Sequence, residues 1–116
     1  MRLLLIALVL VFPAALSADE VLFEMDLNTT TTSRPIDLPN GYEVQYEYTP
    51  SRDQSVLQIL VSPVDSHEVY AEMGPRMYEP KGQKVTGTTY GNRGGRVVVE
   101  VHAMFLSGKL RIVKVE

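Results

Sequence analysis

The stretch Val97-Val98-Val99-Glu100-Val101-His102-Ala103-Met104-Phe105 decides the fold class. Val97, Val99, Val101, Ala103 and Phe105 recur at every second position, and Val98, Glu100, His102 and Met104 fill the alternate ones. A period of two places the first set on the buried face of a sheet. Just upstream, Gly91-Asn92-Arg93-Gly94-Gly95 holds several residues that adopt positive φ cheaply, which predicts a hairpin joining this strand to the Thr-rich segment 83–90, itself read as an edge strand. Downstream, Ser107-Gly108 predicts a turn into a last strand over Lys109 to Val115. Its apolar parity shifts between Ile112 and Val113, the mark of a bulge.

Working back toward the amino terminus, segment 74–82 carries two prolines and two glycines and reads as a long loop. A brief strand over Val69 to Met73 precedes it, and Ser62 to Ser66 is a break. Val56-Leu57-Gln58-Ile59-Leu60-Val61 is apolar on both parities, as in a central strand with both faces covered. Thr49 to Asp53 is a turn. In 42–49, Tyr42, Val44, Tyr46 and Tyr48 share one face, expected to point inward, while Glu43, Gln45, Glu47 and Thr49 share the other. Residues 28–40 read as an exposed polar loop, and Val21, Phe23, Met25 and Leu27 alternate as a first strand.

About seven short strands separated by Gly and Pro turns predict an all-β antiparallel sandwich, immunoglobulin-like or jelly-roll, with a small closed barrel as the alternative. The chain has no cysteine, so disulfides, thiolate metal sites, thiol nucleophiles and lipid attachment through cysteine are all excluded. Packing alone must hold the fold.

The first residues give the compartment. Met1-Arg2, an uncharged apolar run from Leu3 to Phe12, then Pro13 to Ala18 with small residues before Asp19-Glu20 form the pattern of a cleaved secretory leader over 1–18. The run is about half the ~20 residues that a membrane-spanning helix requires. Removal of the leader leaves one domain over 19–116, whose side chains carry a net charge of −4. No basic stripe is present, which argues against nucleic acid as a partner, and no stable membrane anchor is expected. Secretion is the expectation, or export to the periplasm in a bacterium.

No motif commits to a chemistry. Asp65-Ser66-His67 has the residue types of a hydrolytic triad but reads as a polar turn, because neighbours on one loop do not converge around a substrate. His67 and His102, the only histidines, lack metal-ligand spacing. The Gly91–Gly95 loop precedes a strand, whereas phosphate cradles precede a helix, so Arg93 and Arg96 offer at most a small anion contact. Arg76, Met77 and Tyr78 bring together the cationic, flexible apolar and aromatic groups that interface centres favour. Asn28-Thr29-Thr30 is an acceptor pattern for N-glycosylation in a eukaryotic source, and the adjacent threonines could take O-linked sugars.

The leading expectation is therefore a secreted, non-enzymatic recognition module without cofactor, metal or catalytic residues. Its end loops, with Arg76, Met77, Tyr78 and Arg93, would meet an extracellular protein or glycan; the oligomeric state stays open. A second reading is a carbohydrate-binding jelly-roll module, which requires at least one of Tyr70, Tyr78 and Tyr90 to be accessible. A third is a glycoside hydrolase using Glu43 or Glu47 with Glu100, which requires two carboxyl groups about 5–10 Å apart across a cleft.

Overall fold

The structure, a computed structural model, describes residues 20–115, so the expected leader over 1–18 lies outside the described residues. The alternating segments form nine strands: β1 (Val21–Asp26), β2 (Thr31–Thr32), β3 (Ile36–Leu38), β4 (Tyr42–Pro50), β5 (Val56–Pro63), β6 (Ala71–Met77), β7 (Val85–Gly91), β8 (Gly95–Met104) and β9 (Leu106–Lys114). One sheet has the order β1-β9-β4-β7 and the other β2-β8-β5-β6, with β3 also paired to β8. Every pairing is antiparallel. Because β2 and β3 lie end to end along one side of β8, the nine strands fill eight positions, where about seven strands were expected.

The pairs are nested: β1 with β9, β2 and β3 with β8, β4 with β7, β5 with β6. That nesting across two packed sheets is jelly-roll topology and rules out the immunoglobulin-like order. The core lies between the sheets, where Tyr42, Val44, Tyr46 and Tyr48 of β4 and Leu110 and Ile112 of β9 face Leu57, Ile59 and Val61 of β5 and Val97, Val99 and Val101 of β8. Burial of this apolar surface, at roughly 25 cal/mol per Å², holds a fold that has no covalent cross-link.

Several expectations need correction. Gly91–Gly95 does not close a hairpin: β7 belongs to the first sheet and β8 to the second, so the segment arches between layers. A Cβ on Gly94 would collide with the backbone oxygens of Leu38 and Pro39, and its N–H donates to Asn40 Oδ1 at 2.8 Å. Glycine there lets the arch press against the β3–β4 connection. Likewise β8 ends at Met104, and Phe105, at φ 59°, reverses the chain directly into β9; it is 38% exposed rather than inward.

Residues 28–40 are not a free loop. Thr30 Oγ1 accepts from Ala103 N at 3.1 Å, Ser33 Oγ accepts from Val99 N at 2.8 Å, and Leu38 is buried. Strand β5 is central in its sheet, but only its inward parity is buried; Val56, Gln58, Leu60 and Ser62 are half-exposed because no layer covers that side. The expected bulge sits opposite Ile112 and Val113, yet the extra residue is Leu22 on β1. Strand β6 runs through Gly74 and Pro75, joined by a cis peptide, instead of ending there.

Candidate functional site

Cross-strand partners share a sheet face, so the register assigns the outer surface of the first sheet. One row reads Asp26, Lys109, Glu47 and Thr86; the next reads Glu24, Arg111, Gln45 and Thr88; a third brings Val113, Glu43 and Tyr90 together. In the second row Arg111 Nη2 lies 3.1 Å from Glu24, and Lys84 Nζ, just before β7, lies 3.4 Å from Glu47 of the first. Tyr90 stands at the edge strand 65% exposed, opposite Glu43 and two residues from Thr88.

Gln45 and Val113 are buried on this face, and Gln45 is the polar one of the two. It is only 4% exposed, its Nε2 donates to Glu43 Oε1 at 3.3 Å, and its Oε1 is buried without a hydrogen-bond partner. An exposed aromatic ring thus adjoins a carboxylate, a primary amide and a hydroxyl. Such a set can hold a ligand with an apolar face and a rim of hydroxyl groups.

The sequence-derived residues fall at two ends of the sandwich. Arg76, Met77 and Tyr78 lie where β5 begins and β8 ends, while Arg93 lies in the arch beside the starts of β4 and β8. The structure therefore does not unite them. The irregularity between Leu57 and Ile59 puts Arg76 opposite Leu57 on the inward parity. Its guanidinium binds Glu79 Oε2 at 2.8 Å and stands beside the Tyr48 hydroxyl, whose pKa burial raises and Arg76 partly offsets. Arg76 nonetheless remains accessible at this end, with its side chain 41% exposed. Met77, 51% exposed, continues an apolar outer row through Val56 to Met104, 52% exposed, and Tyr78 is 67% exposed.

Arg93 lies with its guanidinium 4.6 Å from the Tyr70 ring centroid and pairs with Glu68 at 3.2 Å. An adjoining cleft of about 400 Å³ is lined by Tyr70, Asp65, Arg96 and the Gly94-Gly95 backbone. Asp65, Ser66 and His67 are all exposed, and Ser66 Oγ accepts the Glu68 N–H at 3.1 Å; they form a polar turn. His102 lies on the outer face of the second sheet, 2.6 Å from Glu100. Among the described residues no group of three or more His, Asp or Glu side chains is placed to hold a metal.

The paired-carboxylate reading fails on topology. Glu43 and Glu47 point outward from the first sheet and Glu100 outward from the second, so the whole core separates them. The accessibility condition for carbohydrate is met, with Tyr78 and Tyr90 exposed and Tyr70 half-buried. What the sequence did not reveal is the adjacency of Tyr90, Glu43 and Gln45. Alternation placed Glu43 and Gln45 outward, but only the β4–β7 register brings Tyr90 beside them.

No protein-family model matches the chain, and no curated protein matches it. Among solved structures the chain is similar to a carbohydrate binding module from Cellvibrio mixtus lichenase 5A, solved in complex with cellotriose. The identity is 11% and the TM-score 0.43, covering 84% of this chain and 86% of that one. No helix among the described residues is long and apolar enough to cross a membrane.

Proposed function

We propose that this chain is an exported carbohydrate-binding module that holds its ligand, without chemistry, on the outer face of the first sheet around Tyr90. The observation that carries the reading is the exposed Tyr90 ring set in register with Glu43 and next to Gln45 and Thr88. A pyranose ring presents an apolar C–H face and equatorial hydroxyls. The first suits the tyrosine ring, and the second suit the Glu43 carboxylate and the Thr88 hydroxyl. A ring exposed on an edge strand favours an extended chain of sugars over a small enclosed ligand.

The test is titration of soluble polysaccharides and oligosaccharides of differing charge and linkage, followed by affinity electrophoresis or calorimetry. The expected result is binding that Tyr90→Ala weakens by about tenfold, equivalent to ~1.4 kcal/mol. Saturable binding that Tyr90→Ala leaves unchanged refutes the site.

A second reading, a protein partner at the opposite end, draws on the exposed row Met77, Val56 and Met104 with Tyr78 beside it. Loss of a captured extracellular partner on Tyr78→Ala with Arg76→Ala would put that reading first.

A further inference from the structure

We infer that Asn28 is, in a eukaryotic source, an N-glycosylation site built so that the attached sugar leaves the fold and the Tyr90 face intact; this rests on the export part of the proposed function. The acceptor pattern Asn28-Thr29-Thr30 is one observation. The geometry supplies another. Asn28 is exposed, its Oδ1 accepts the Gly108 N–H at 3.2 Å, and its Nδ2 makes no hydrogen bond. Glycosylation consumes one N–H of Nδ2 and keeps Oδ1 as an amide oxygen, so the bond to Gly108 survives.

The order of events also follows from the structure. Thr30 Oγ1 accepts from Ala103 N at 3.1 Å and donates to Ala103 O at 3.4 Å, so in the folded chain the hydroxyl of the acceptor pattern is committed to β8. Transfer therefore takes place on the extended chain as it enters the secretory lumen. The donor is a lipid-linked oligosaccharide diphosphate. Nδ2 forms a bond to the sugar C1, the C1–O bond to diphosphate breaks, the lipid diphosphate departs with the electron pair, and Nδ2 loses one proton. Folding then fastens the Thr30 hydroxyl to the Ala103 backbone of β8.

Placement decides the consequence. Asn28 and Thr30 bracket the β8–β9 reversal through Gly108 and Ala103, where Met104 and Phe105 are exposed. A sugar there covers the apolar reversal. Tyr90 lies on the row of Glu43, whereas Gly108 lies on the row of Tyr48; the five-residue step from one row to the other spans about 17 Å along the strand.

The experiment is expression of the full chain in a eukaryotic secretory cell line, with mass spectrometry of the chain recovered from the medium. The expected product starts after the leader and carries one glycan that peptide N-glycosidase removes, leaving an aspartate at position 28. Asn28→Gln abolishes the modification and Thr30→Ser retains it. Glycan titration is expected to give the same affinity before and after enzymatic removal. A secreted chain without glycan at Asn28 overturns the inference while export stands. A chain retained in the cytosol with its leader overturns export and the inference together. A glycosylated chain that has lost its β-sheet circular dichroism, or whose affinity recovers only on deglycosylation, overturns the compatibility claimed here.

Discussion

The ring of Tyr42 occupies the space that a side chain at Gly91 would need, and the two residues are direct partners across β4 and β7. Tyr46 does the same over Gly87 four pairs along, and the Tyr46 and Tyr48 rings lie 6.4 Å apart between centroids. The core side of β7 is thus made by tyrosines lent from β4. Gly87→Ala and Gly91→Ala should each force a buried ring out of place, at a cost of about 1–3 kcal/mol. Urea denaturation followed by circular dichroism should show a lower midpoint with unchanged slope, and an unchanged midpoint would mean that the rings have room to move.

The Tyr42 hydroxyl is fully buried without a hydrogen-bond partner, and burial, with a smaller contribution from Tyr70, pushes its pKa up to about 12. Because the folded value exceeds the ordinary tyrosine value of 10.0, this group's contribution to stability is whole below pH 10 and is lost as pH rises toward 12. Tyr42→Phe should leave stability near pH 7 unchanged or about 1 kcal/mol higher, since it removes an unsatisfied polar atom. Its stability should also fall less steeply than wild type between pH 10 and 12, with Tyr48, also raised, supplying the remaining slope. Parallel alkaline curves for the two proteins would contradict this.

What could be read in advance follows from what periodicity reports. Alternation in Val97 to Val101 and Tyr42 to Tyr48 revealed which side chains face the core, and those assignments hold. It carries no information about which strand lies alongside, so Gly91–Gly95 looked like a hairpin although it arches between sheets. Thr31 and Thr32 looked like loop because an edge strand that contributes backbone bonds to β8 needs no apolar residue. Residues 74–77 looked like loop because the irregularity opposite Gln58, which carries β6 past Gly74 and Pro75, has no simple signature in the residue pattern.

The 28–33 segment is fastened by side-chain oxygens to backbone N–H groups of β8, at Ala103 by Thr30 and at Val99 by Ser33. Thr30→Val and Ser33→Ala each leave one of those amides without an acceptor, at a cost of about 1–2 kcal/mol. Native-state hydrogen exchange should show the Ala103 amide losing protection in the first variant and the Val99 amide in the second. The Leu60 amide in central β5 should be affected only through the global change in stability. Equal loss of protection throughout the second sheet would show that the segment is integral to the core and not an edge clasp.

Gln45 separates binding from stability. A primary amide that is 4% exposed with an unpartnered Oε1 is unfavourable in the isolated fold, yet it sits beside Tyr90 and Glu43 on the proposed ligand face. Gln45→Met keeps the unbranched shape and removes both polar atoms, forfeiting the 3.3 Å bond to Glu43 along with the unsatisfied oxygen. The expected outcome is stability unchanged or raised by up to about 1 kcal/mol, together with glycan affinity several-fold lower. That opposition would identify the amide as a positioning group, kept because it holds Glu43 for the ligand. If instead the variant loses stability and binds as wild type, Gln45 packs the face for the fold's sake and recognition rests on Tyr90 and Glu43.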